Sequence, residues 1–201
     1  MDIIKKEYLN TKVLVKVSVL GAIAFLLMLF DFPLWFAPSF LKFDFSDVPG
    51  LIGSFALGPF AGVLVQLVKN LLNLALEGTD TAAVGELANF VVGSIFVFTA
   101  GYIYHRNKTF KNAVIGMAAG IIAMTISISV ANYYVMIPLY AKIFGWPIEQ
   151  IVALGTAVNK YVVDFKTLIL FAVVPFNLVK GIIVTLVTAL IYKRVSPILR
   201  R

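Results

Sequence analysis

Long apolar runs separated by short polar segments make up nearly the whole chain. The first run, Val13 to Phe32, has the roughly 20 residues that a helix needs to cross about 30 Å of hydrocarbon. Pro33 to Asp47 is rich in proline and aromatic residues, and Pro33 and Pro38 keep it from being one helix. Apolar sequence resumes from Val48 to Leu76, interrupted at Gly58-Pro59. After a polar turn (Gly78 to Thr81), a fourth run extends from about Thr81 to Tyr104, and His105 to Lys111 ends it. A fifth run goes from Asn112 to about Tyr140, where Pro138 is expected to stop it. Lys142 to Lys166 is semi-polar with an amphipathic stretch, IEQIVALGTAV, and Thr167 to Tyr192 is the last run. The pattern predicts an all-α integral membrane protein with one membrane domain over residues 1–201.

Charge decides how residues 48–76 are divided. Lysine and arginine near span ends favour the cytoplasm. Three segments are basic: the N-terminus (Lys5, Lys6, Lys12, Lys16), the middle loop (Arg106, Lys108, Lys111) and the C-terminus (Lys193, Arg194, Arg200, Arg201). An even number of crossings between the first two of these is required, so 48–76 is expected to cross twice, turning at Gly58-Pro59. The prediction is six transmembrane helices, about 13–32, 48–57, 60–76, 81–104, 112–140 and 167–192. Both termini are then cytoplasmic and the second helix is short. Asp31, Asp44, Asp47, Glu77, Asp80, Glu86, Glu149 and Asp164 fall on the outer side in this scheme. Lys42, Lys142, Lys160 and Lys166 fall on that side too, and Lys69 and Lys180 are left, both within spans.

Composition narrows the function classes. Of 201 residues, 61% are hydrophobic and 13% charged, against roughly 45–50% and 25% in soluble domains. The net charge of +7 is spread thinly along greasy runs, which fits membrane topology and not nucleic-acid binding. The chain has no cysteine and a single histidine, His105, so thiol chemistry and metal-ligand clusters are not expected.

Ionisable and polar residues within spans are functional candidates. Lys180 lies on the same face of the last helix as Asn177, three residues earlier. Asn132 lies in the fifth run and Asn89 in the fourth. At 1.5 Å per residue, Asn89 and Asn132 are about 12 Å from the outer ends of their helices, with Asn177 about 15 Å and Lys180 about 20 Å deep. Side chains from three helices thus share one layer of the outer half, as a pocket opening outward requires. Interhelical hydrogen bonding is the plainer alternative for each asparagine. Asparagine amides suit an amide- or imide-like edge. Phe90, Phe96, Tyr133, Tyr134, Phe171 and Phe176 offer apolar planes for a ring. The first outer loop, with Phe40 and Leu41, has the length of a lid. Lys69, with Gln66 and Asn73 on its face, forms a second cluster, read as pairing with Asp47 or Glu86 or contacting the inner surface. Ser18 and Ala22 on the first helix have the small-xxx-small spacing that admits a close helix, either within this chain or from a partner.

The segments LKFDFSDVPGLIGSFALGPFAG, LVKNLLN, ELANFVVGSIFV, ANYYVMIPLY and FNLVKGIIVTL resemble the riboflavin-specific substrate-binding (S) component of energy-coupling factor (ECF) transporters. The resemblance covers nearly the whole chain, and ANYY and NLVKG carry its flavin character. It implies a prokaryotic plasma-membrane protein that captures riboflavin, as transported ligand and not cofactor, from outside. It also implies assembly with a transmembrane coupling subunit and two cytoplasmic ATPases. The chain itself lacks a G-x-x-x-x-G-K-[ST] loop, so ATP hydrolysis is expected in those partners and no enzymatic activity here. Flavin contacts carry over to Asn132, Asn177 and Lys180, with Asn89, Phe40 and Leu41 as further candidates. The family's Ala-xxx-Ala docking motif falls at Ser18 and Ala22, where small size is kept but serine replaces one alanine. Alternatives are an S component for another vitamin and a stand-alone gradient-coupled transporter.

Overall fold

A computed structural model describes residues 10–79 and 81–200, and the backbone alone over 193–200. The Asn10 side chain accepts the Lys12 amide at 3.1 Å and starts α1, Thr11–Met28. The expected continuation to residue 32 does not occur. Instead Phe32–Pro33 (β1) pairs antiparallel with Lys42–Phe43 (β2), Phe32 opposite Phe43, and folds the intervening loop into a ribbon. Helix α2, Asp47–Leu57, and helix α3, Pro59–Leu76, meet at Gly58, whose φ of 115° is open to glycine, with Pro59 pre-set for the first helical turn.

Helix α4 runs over Val84–Arg106. Its start is later than the apolar run suggested because Ala82 and Ala83 have positive φ, 51° and 66°. There the Thr79 and Thr81 hydroxyls both donate to the Glu86 carboxylate. Gly116 and Gly120 of α5, Phe110–Ala131, lie against the α4 backbone at Ala100 and Phe96, the close approach that small residues four apart permit.

Pro138 does not end the fifth helix. A π-helical turn, Asn132–Met136, carries the chain into α6, Ile137–Phe144, and the whole rod is 35 residues long. The amphipathic connection forms α7, Ile148–Thr156. The last rod begins as α8, Phe165–Leu168, passes a second π turn, Ile169–Val173, and continues as α9, Val174–Arg200. Both π turns end two residues before a proline, Pro138 and Pro175. A proline ring clashes with the carbonyl four residues earlier, and a turn wound to i→i+5 bonding accommodates it without a break.

Among the described residues, five helices are long and apolar enough to cross a membrane, and α2 is a shorter apolar helix. Their outward faces, among them Val15, Val19 and Leu26 of α1 and Ile122, Ile126 and Val130 of α5, are apolar and exposed, as hydrocarbon contact requires. Leu51 and Phe55 of α2 pack with Phe96 and Val97 of α4, Met117 and Met124 of α5 and Val184 of α9 in the principal core.

Helix α2 spans only part of the bundle. At its C-terminal end the Ser54 carbonyl meets His105, near the end of α4, at 3.1 Å. At its N-terminal end Asp47 bonds Gln66, which lies against Gly93, nine residues into α4. Eleven residues give about 16 Å of rise, so α2 begins near mid-depth and the loop before it dips into the bundle. Irregular backbone at that depth is tolerated because it is enclosed by protein.

Candidate ligand-binding site

The dipping loop brings two carboxylates among the helices. Asp44 is 3% and Asp47 4% exposed. The count of charges along the chain places both in outer segments and does not foresee this burial. Lys180 of α9, 9% exposed, donates to Asp44 Oδ2 at 3.1 Å and lies 3.6 Å from Asp47 Oδ2. Lys69 of α3, fully buried, donates to Asp47 Oδ1 at 3.0 Å and to Ser46 Oγ at 2.9 Å. Of the pairings weighed for Lys69, the structure has Asp47. Asp44 Oδ1 accepts the Ser46 amide at 2.7 Å, and Gln66 Nε2 donates to Asp47 Oδ1 at 3.0 Å. Two ammoniums and two carboxylates sum to zero charge, the condition under which such groups persist away from water. Two lysines within spans were the signal for this cluster. Each demanded a counterion, and the DFSD segment supplies both.

Each π turn adjoins a candidate asparagine. Asn132 opens the first turn, is buried, and donates through Nδ2 to the Ile128 carbonyl at 3.0 Å. Asn177, also buried, donates to the carbonyl of Val173, the last residue of the second turn, at 2.8 Å. An amide NH₂ carries two hydrogens. One hydrogen fixes each side chain to its own helix, and the second hydrogen and the oxygen are the groups a ligand edge would use. Such π turns recur at functional sites.

The loop covers this region. Ala37 and Phe43 are buried against Phe176 of α9, with Leu41 and Ile183 packed on them. Leu41 also packs on a second cluster that includes Ile128 of α5 and Leu168, Ala172 and Val173 of the last rod, joined by Ala88 and Val92 of α4. Leu41 thus packs in both clusters, one holding Phe176 and the other Val173, the residue whose carbonyl Asn177 bonds. Asn89, between Ala88 and Val92, is half-buried, and Phe40 points out, exposed. Of the aromatic candidates, Phe176 lies under the loop, Phe96 is in the principal core, and Tyr134 is exposed.

On α1 the two stripes of small residues divide the work. Gly21 faces α3, where a Cβ would come within 2.5 Å of Val68, and Ala24 is buried beside it. Ser18 and Ala22 face outward with Val15, Val19 and Ile23. Packing within this chain is thus the task of Gly21 and Ala24, and the Ser18–Ala22 stripe is uncovered.

An apolar helical bundle with a buried polar layer under a loop is the architecture of a multi-pass membrane protein. The chain belongs to the family of ECF transporter substrate-specific components, which matches residues 12–192. It is 40% identical over 192 residues to the riboflavin transporter RibU of Staphylococcus aureus (strain TCH60), covering 96% of this chain and 94% of that protein. It is 36% identical over 190 residues to the riboflavin transporter FmnP of Bacillus subtilis (strain 168), covering 94% of each. A solved structure of the S component of a bacterial ECF transporter superposes with a TM-score of 0.73 at 37% identity, covering 94% of this chain and 98% of that one.

Proposed function

We propose that this protein is the riboflavin-binding subunit of an ECF transporter in a bacterial plasma membrane. What supports the reading is the burial of Asn132, Asn177 and Lys180, from two rods, and the packing of the first loop on Phe176, in a chain so similar to riboflavin transporters. The isoalloxazine ring lies against apolar side chains near Leu41 and Phe176. The free amide hydrogens and oxygens of Asn132 and Asn177 meet its polar edge or the ribityl hydroxyls, and Asn89 and Phe40 line the entrance. Lys180, held by two carboxylates, retains one hydrogen for the ligand. The site is electrically balanced, which suits a neutral vitamin.

In this reading one domain, residues 1–201, crosses the bilayer six times with both termini cytoplasmic, and the loop faces outside. The α1 face with Ser18 and Ala22 docks on a transmembrane coupling subunit, and two cytoplasmic ATPases hydrolyse the ATP. The chain itself catalyses nothing.

Riboflavin titrated into the purified protein should lose its fluorescence at sub-micromolar concentration. Asn132→Ala should weaken binding by about tenfold, the loss of one net hydrogen bond. Unquenched riboflavin at micromolar protein would overturn the ligand, and parental affinity in Asn132→Ala would overturn the site.

A further inference from the structure

The loop meets α9 at three positions, Phe176, Lys180 and Ile183, spaced four and three residues apart and so on one helix face. The outer two contacts are hydrocarbon, which is non-directional and lets surfaces slide. The middle one is a charged hydrogen bond at 3.1 Å with a fixed direction. We infer that Asp44 is the positioning residue that keeps this loop shut over the site, acting as a latch on Lys180. The inference rests on the reading of Asn177 and Lys180 as site groups.

The two carboxylates are built for different tasks. Asp47 is the first residue of α2, and its principal cation, Lys69, is on α3, joined to α2 at Gly58-Pro59. That pair sits within one rigid hairpin. Asp44 precedes the helix and lies one residue beyond β2, so its bond to Lys180 ties the ribbon to a different part of the bundle. The carboxylate cannot swing without losing two partners, since Oδ1 holds the Ser46 amide and Oδ2 holds Lys180.

The geometry also makes the tie reversible. An ammonium abandoned in a protein interior is strongly unfavourable. When Asp44 lifts with the loop toward water, Asp47, already 3.6 Å from Lys180, stays behind to hold the charge. The cation is never stranded, and the barrier to opening is lower than that of breaking an isolated buried pair. Asp44 moves and Asp47 remains.

The absence of cysteine supplies the test. Ala37 is buried beneath the ribbon with Phe43 and Phe176, so Ala37→Cys places a single thiol that a water-soluble maleimide reaches only when the loop opens. Labelling is followed in the full-length, ligand-free protein in detergent. Adding Asp44→Asn should accelerate it by about tenfold or more, and Lys180→Met likewise, because each removes one end of a buried pair. The double variant should label no faster than the faster single, because both remove the same contact. Parental labelling in Asp44→Asn, or effects that multiply in the double variant, would overturn the latch. Labelling needs no vitamin, so a failure of the riboflavin reading would leave this result standing, and the converse.

Discussion

Lys69→Met removes an ammonium from the bundle interior while keeping the volume and apolar stem of the side chain. Lys69 donates to Asp47 and Ser46 and is wholly buried, so nothing solvates Asp47 in its place. Breaking a buried pair from one side costs about 3–5 kcal/mol, most of it the desolvation of the charge left behind. Asp47 keeps Gln66 at 3.0 Å and Lys180 at 3.6 Å, which puts the loss at the low end, about 3 kcal/mol. For a chain of this size, about 2–4 °C of midpoint is lost per kcal/mol, so unfolding should come about 6–12 °C earlier. The assay is far-UV circular dichroism at one fixed heating rate on detergent-purified protein. Asp47→Asn in the Lys69→Met background should recover most of the loss, because the charge is then gone from both sides. The reasoning is refuted if Lys69→Met unfolds within about 2 °C of the parent, or if the double variant unfolds no later than the single.

Three further outcomes follow from the packing and the caps. Gly21→Val should destabilise by about 1–3 kcal/mol through overpacking against Val68, whereas Ala22→Leu on the exposed stripe should leave the unfolding midpoint unchanged. A midpoint lowered equally by both would show the stripes misassigned. Asn177→Ala should leave the fold intact and weaken riboflavin binding by about tenfold, read by fluorescence quenching; unchanged affinity would remove Asn177 from the site. Asp164 caps the last rod, and the Thr167 backbone N–H, with the Thr167 hydroxyl, holds its carboxyl below the usual carboxylate range. A lowered folded value means that the cap's contribution is complete above the ordinary carboxylate pKa and fades as pH falls through the lowered one. Amide exchange at Thr167 should therefore rise in Asp164→Ala at neutral pH, and equal protection in both proteins would sink the argument.

The apolar rods were legible because a span must satisfy its backbone internally and so declares itself as an uninterrupted run. Their ends were less so. Pro138 reads as a stop in a soluble helix, but the π turn before it lets the rod continue to Phe144. Ala82 and Ala83 are unremarkable in sequence, and their positive φ answers to the threonine and glutamate contacts around them. Asn132, Asn177 and Lys180 stood out because polar groups in apolar runs are rare, and all three are buried. The burial of Asp44 and Asp47 was not legible in the count of charges. Counting charges along the chain assigns each to the nearest surface, whereas a loop that re-enters the bundle follows no such rule. Their partners sit on helices distant in sequence, which no local pattern reveals.

The neutral quartet has a consequence for how the chain enters the membrane. Lys69 and Asp47 are 22 positions apart and emerge from the ribosome almost together, so the α2–α3 hairpin can insert with its charge already matched. Asp44 and Lys180 are 136 positions apart, a delay of roughly 7–27 s at ordinary rates of synthesis. Through that interval Asp44 has no lysine of its own, and its loop must wait at the water boundary. A chain truncated before Lys180 should therefore hold its early helices in the bilayer with Asp44 still unpaired, and the last rod, which carries the missing cation, should draw the loop inward when it inserts.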